Sequence, residues 1–203
     1  MTTLIDTQRS LRQRFEGLVR APDAFDDVAA RYGEAHRHYH TLVHIEKVLA
    51  AIDAWYPDAP DWIILAAFYH DVIYDPTTST NEIDSARLAS RELAGVLDRR
   101  ELAALTRAIV MTNGHDLSHA HAEDLPLLVG DLIGMACGVE EYRVNTAAIR
   151  LEYSMFDDEQ WAAGRRKFIV AFDARRILPE EARFDEAEQR IHENMRDELA
   201  RLN

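Results

Sequence analysis

Residues 62–69 read WIILAAFY, an apolar run with no charged side chain in it. A segment without a polar face cannot lie on a surface, so any fold of this chain must surround it on all sides. It is far shorter than the ~20 residues that span a bilayer, which makes it the centre of a core instead. The spacing predicts one buried helix over residues 61–74. His70 and Asp71 fall inside this predicted helix. Burying an ionised carboxylate without a partner is costly, and no Lys or Arg lies close to Asp71 in sequence. A divalent cation would compensate it. Neighbouring helical side chains diverge by about 100°, so the pair would grip ions lying between helices.

The rest of the chain reads as further helices around this one. Gly and Pro number only 8 and 6 in 203 residues, and no strand alternation persists. Helical periodicity predicts segments over 3–19, 23–32, 41–56, 79–97, 99–112, 125–136, 139–155, 158–177 and 180–201. Ser79 and Glu82 have capping-box spacing at the start of one of them. The expected fold is an all-α bundle of eight to ten helices with a central buried helix. It forms one domain over 1–203, with motifs over about 31–135 and the C-terminal helices 139–201 packed on them through Trp161, Phe168, Ile169 and Phe172.

The formal charge of −13 repels polyanions and argues against non-specific nucleic-acid binding. A lone cysteine, Cys137, allows no intramolecular disulfide and suits a reducing compartment. The first residues lack the apolar core of a signal peptide. These features predict a cytoplasmic protein without a membrane anchor.

The chemistry concentrates in AHRHYHTLVHI, residues 35–45, which holds four of the nine histidines: His36, His38, His40 and His44. If the next helix begins by residue 40, His40 and His44 share one of its faces. His44 interrupts an apolar stripe of Leu42, Ile45, Val48, Leu49 and Ile52. A core histidine on its own is more often hydrogen-bonded than ligating, but the nearby His70-Asp71 pair shifts the balance. Asp131, in LPLLVGDLIGMA, is another carboxylate in an apolar stretch. By itself it reads as a cap or turn residue, and Gly130 and Gly134 beside it would let backbones approach closely.

Taken in order, His44, His70-Asp71 and Asp131 resemble the signature of the HD superfamily of metal-dependent phosphohydrolases, H…HD…D on an all-α fold. YHTLVHI also looks like the Tyr-His-Asn-x-x-His stretch of cyclic-nucleotide phosphodiesterases, a distant branch. The layout from RYGEAHRHYHTLVHI to GDLIGM resembles a bacterial branch of predicted HD phosphohydrolases of about this length. The resemblance implies a metal ion held by His44, His70, Asp71 and Asp131, and a second ion sharing Asp71, with His115 near it. It implies that His40 protonates the leaving group and that Glu82 lies near the attacking water, although a capping box explains Glu82 equally well. Imidazole and carboxylate donors suit Mn, Fe, Co, Ni, Zn or Mg. The implied substrate is a small phosphoester, with a nucleotide among the candidates. Arg31 and Arg37 are the nearest cations for its phosphate, since Arg suits bidentate contact. A di-iron oxygenase using His115 and Asp116 and a non-catalytic metal-retaining module are the alternatives. His36, His38, His119, His121 and His192 read as solvated or structural. The cluster Arg165, Arg166, Lys167 reads as a solvated face unless the C-terminal helices fold over the site.

Overall fold

The computed structural model describes residues 4–20 and 23–202. Ten α-helices carry them: α1 (Leu4–Leu18), α2 (Ala24–Tyr32), α3 (Leu42–Trp55), α4 (Asp61–Tyr69), α5 (Asn81–Glu92), α6 (Arg99–Met111), α7 (Leu125–Leu132), α8 (Val139–Glu152), α9 (Asp158–Asp173) and α10 (Asp185–Arg201). No β-strand occurs among the described residues. The expected first helix starts at residue 3, which lies outside them. None of the ten is long and apolar enough to cross a membrane.

Every residue of α4 from Trp62 to Tyr69 is buried. α1, α3, α5, α6 and α7 all pack against it, as its apolar circumference demands. Phe15 of α1 meets Phe68 edge-on at 5.1 Å between ring centres. α4 stops five residues short of the predicted end. Beyond Tyr69 the backbone finds partners outside the helix: Arg37 donates to the carbonyls of Asp71 at 2.7 Å and Val72 at 3.1 Å. Ser85 of α5 accepts the Ile73 N–H at 3.0 Å. His70 and Asp71 therefore stand in a turn at the C-terminal end of α4, not in its middle.

Two other starts differ from expectation. Thr41 caps α3, its hydroxyl accepting the Val43 N–H, so His40 precedes the helix and shares no face with His44. The Ser79–Glu82 capping box does not form. Thr80 occupies the cap position, and its hydroxyl donates to Asp84 instead.

α7 is brought against α3 by Gly130. A Cβ there would lie 2.9 Å from Ile52 Cγ1 and 3.2 Å from the Val48 carbonyl. The start of α7 is fixed by Asp124, whose buried carboxylate takes three charge-assisted hydrogen bonds from Arg107 at 2.7, 2.9 and 3.2 Å. Leu127 joins the core around α4, while Val129 and Leu132 join a second core with Ile169, Phe172, Phe184, Ile191 and Met195. α9 opens with a capping box of Asp157 and Gln160 and ends at Asp173, short of the expected residue 177. Ile169 and Phe172 pack into the second core as expected, and Phe168 packs against it while also lining a cleft, whereas Trp161 lines only the cleft.

Gly130→Ala should cost about 1–3 kcal/mol, the usual range for overpacking a tight contact. Chemical denaturation of the variant beside the wild type measures it; an unchanged midpoint would mean that α3 gives way without strain.

Candidate metal centre and its cleft

Four side chains from three elements converge below the surface. His44 comes from the first turn of α3, His70 and Asp71 from the turn after α4, and Asp131 from α7. His44 Nε2 lies 3.2 Å from His70 Nε2, 3.5 Å from Asp71 Oδ2 and 3.3 Å from Asp131 Oδ1. His70 Nε2 lies 3.1 Å from Asp71 Oδ2 and 3.7 Å from Asp131 Oδ1. Metal bonds of about 2.1 Å set adjacent donors ~3.0 Å apart in an octahedron and ~3.4 Å in a tetrahedron. The observed spacings fall around these values. His44, His70 and Asp131 by themselves form a group that could hold a metal ion.

The tautomer of His70 supports the fit. Its Nδ1 lies 2.9 Å from the Ala67 carbonyl, which only accepts, so Nδ1 carries the proton. In the neutral ring Nε2 then keeps a lone pair aimed at His44. A carbonyl on the far nitrogen is the usual partner of a metal-ligating histidine. Protons on both Nε2 atoms would set two N–H groups against each other across 3.2 Å, whereas a cation between the lone pairs satisfies both rings. Burial pushes Asp71 and Asp131 up, but the neighbouring imidazoles more than reverse this and hold both carboxyls below the usual range. Burial pulls His44 and His70 down, and the carboxylates overcome it. The two carboxylates thus draw positive charge toward the imidazoles.

Asp131 faces two ways. Oδ1 meets His44, and Oδ2 lies 3.5 Å from His115 Nδ1. Asp131 is thus the carboxylate of the cluster that lies against His115. His115 adopts φ 51°, in the left-handed region, where histidine is less rare than most residues. Arg175 holds this turn by donating to the carbonyls of Gly114 and His115 at 3.0 and 3.2 Å. Asp116 is turned away, paired with Arg175 and accepting the Ser118 N–H, which removes it from the candidate ligands.

His40 stands beside the cluster, its ring centre 5.6 Å from that of His44. It is held by a residue that sequence reasoning missed. Glu152, the last residue of α8, is 1% exposed. Its Oε1 accepts the backbone N–H groups of His38, Tyr39 and His40 at 2.8, 2.7 and 2.9 Å. Its Oε2 accepts from His40 Nδ1 at 2.7 Å and from the Tyr74 hydroxyl at 2.9 Å. Burial pushes this carboxyl up, but the His40 side chain and the backbone donors outweigh it and bring it down to about 2. Glu152 is therefore an acceptor, His40 Nδ1 carries a proton, and Nε2 is the ring nitrogen left for chemistry. The only sequence signal was a carboxylate between Leu151 and Tyr153 at a helix end.

The centre opens on a cleft of about 610 Å³ whose walls include His40, Asp71, Glu82, His115 and Asp131. Two expectations about cations are corrected here. Arg37 is buried and spends its guanidinium on Glu34 and on the carbonyls of His40, Asp71 and Val72. It fastens the histidine loop to the turn after α4 and is not on the cleft wall, so it contacts no substrate phosphate there. Arg165 does line the cleft, because α9 folds over it; Lys167 is exposed. His36, His38, His119 and His121 are exposed, and His192 bridges Asp173 and Glu188 at 2.7 and 3.0 Å, away from the cleft.

Set against protein-family models, curated proteins and solved structures, the chain matches none. Its chemistry is therefore read from its own geometry.

The lowered Glu152 carboxyl makes a signed prediction. Its ordinary value is 4.5 and its folded value about 2, so it contributes stability that is complete above pH 4.5 and lost as pH falls toward 2. The difference corresponds to about 3 kcal/mol. Glu152→Gln should lower stability at pH 7 by roughly this amount and flatten the acid limb of stability against pH. Urea titrations at several pH values measure it; parallel curves for both proteins would contradict the assignment.

Proposed function

We propose that this protein is a metal-dependent phosphohydrolase of the HD superfamily that cleaves a small phosphoester in the cytoplasm. One observation carries the reading. Two histidine nitrogens and two carboxylates meet at ligand spacing, and beside them a histidine held by a buried carboxylate faces the same cleft. A site that only binds metal has no use for the second feature. His44, His70, Asp71 and Asp131 would hold a divalent ion, with Mn, Fe, Co, Ni, Zn and Mg all compatible with nitrogen and oxygen donors. Such an ion supplies Lewis acidity toward a phosphoryl oxygen and activates water at neutral pH.

The remaining work falls to the chain itself. His40 donates its Nε2 proton to the leaving oxygen as the phosphorus–oxygen bond breaks. Glu152 fixes the ring by accepting a hydrogen bond from its Nδ1. Glu82, free of the capping role, stands on the cleft wall as a hydrogen-bond acceptor for the attacking water. The acidic surface favours a small substrate over a polyanion. A two-ion form of the site is favoured by one contact, Asp131 Oδ2 facing His115. The oxygenase reading has lost Asp116 as a ligand.

Asp71→Ala should lose bound metal and activity together. His40→Ala should keep the metal and slow turnover by roughly 10²–10⁴-fold, the usual contribution of general acid catalysis. Elemental analysis and phosphate release from a phosphoester panel, with metal supplied, read both. Undiminished metal in the first variant, or full activity in the second, contradicts the assignments.

A further inference from the structure

The cleft is lined by two unlike groups of side chains. Asp71, Asp131 and Glu82 supply carboxylates. Among the others is a row of aromatic rings that begins at His40. The His40 ring lies 4.4 Å from that of Tyr74, whose hydroxyl donates to Glu152, the residue next to Tyr153 in sequence. Tyr153 in turn lies 5.5 Å from Trp161 and 6.1 Å from Phe156, ring centre to ring centre. All of these rings face the cleft, as does Phe168. Trp161 and Phe168 are placed there by α9, with Phe168 also packed against the second core beside Phe172.

Charge along this row is already balanced. Among the described residues, Arg165 is the one Arg or Lys on the cleft wall. Its guanidinium forms a bidentate pair with buried Glu198 at 2.8 and 2.7 Å, and Glu198 also accepts from the Tyr142 hydroxyl at 2.8 Å. The guanidinium lies over Phe168 and Trp161, 4.8 and 5.6 Å from the ring centres. It stiffens the aromatic wall more than it offers a countercharge. A second phosphate or a carboxylate on the substrate body would meet three wall carboxylates and a cation already neutralised.

We propose that the substrate carries a single phosphoryl group whose leaving group is a flat, uncharged aromatic body, seated along Tyr74, Tyr153, Phe156 and Trp161. This rests on the phosphohydrolase reading and specifies its substrate class. The polarity of the row decides the orientation: it starts at the histidine that would protonate the leaving oxygen, so the aromatic part lies on the leaving-group side.

Non-hydrolysable phosphonates separate this claim from turnover. Isothermal titration calorimetry of the metal-loaded protein should show 1-naphthyl phosphonate binding about tenfold or more tightly than methylphosphonate, because a ring stacked on an aromatic wall commonly contributes that much. A ring-sulfonated naphthyl phosphonate should lose most of this gain. Trp161→Ala and, as an independent variant, Phe156→Ala should each erase most of the preference while leaving methylphosphonate affinity unchanged. Equal binding of naphthyl and methyl phosphonates, or a preference for the sulfonated probe, overturns the substrate class and leaves the phosphohydrolase reading standing. If neither phosphonate binds with metal loaded, both fall.

Discussion

The structure depends on a charged pair placed at the end of a helix that has no polar face. α4 must be enclosed, so five helices gather around it, and the residues that follow its last turn are drawn into the same interior. His70 is 1% exposed, and the Asp71 side chain is 18% exposed, open only toward the cleft. A carboxylate in that position needs positive charge, and the surrounding helices deliver imidazoles and a second carboxylate rather than a lysine or arginine. The close approach of α7 at Gly130 and the capped start of α3 at Thr41 are the two local features that bring Asp131 and His44 within reach. The central core and the candidate site thus share one cause.

A second buried carboxylate ties the C-terminal helices to this centre. Glu152 binds three successive backbone N–H groups of the histidine loop, an arrangement that fixes a loop with no regular structure of its own. His40 is oriented by a residue 112 positions away, and the aromatic wall follows directly after it in sequence. The loop that carries His40 is fastened on its other side by Arg37, which satisfies carbonyls of the turn bearing Asp71. α8 and α9 carry none of the four converging residues; α8 supports His40 through Glu152, and α9 supplies part of the cleft wall.

What the sequence made legible was local and periodic. WIILAAFY identified the buried helix, and the order of His44, His70-Asp71 and Asp131 singled out four residues that do converge. The misreadings share a physical reason. The expected extension of α4 to residue 74 ignored that Arg37 and Ser85 offer its last carbonyls and N–H groups better partners. The Ser79–Glu82 spacing suited a capping box, yet Thr80 took the cap position. Arg37 was read by its charge as a phosphate ligand, but its guanidinium makes four hydrogen bonds inside the fold. Glu152 could not be found at all, because nothing in its neighbourhood says which distant amides it will meet. Arg165 was assigned to solvent because a helix face cannot announce what it folds over.

The central claim is that His44, His70, Asp71 and Asp131 hold one metal ion. Anomalous diffraction at the absorption edge of the metal carried by the natively purified protein tests it most directly. The account predicts a peak at bonding distance, about 2.0–2.3 Å, from both Nε2 atoms and from an oxygen of each carboxylate. Peaks only at positions away from these four residues, or none after soaking with Mn, Ni or Zn, would contradict it.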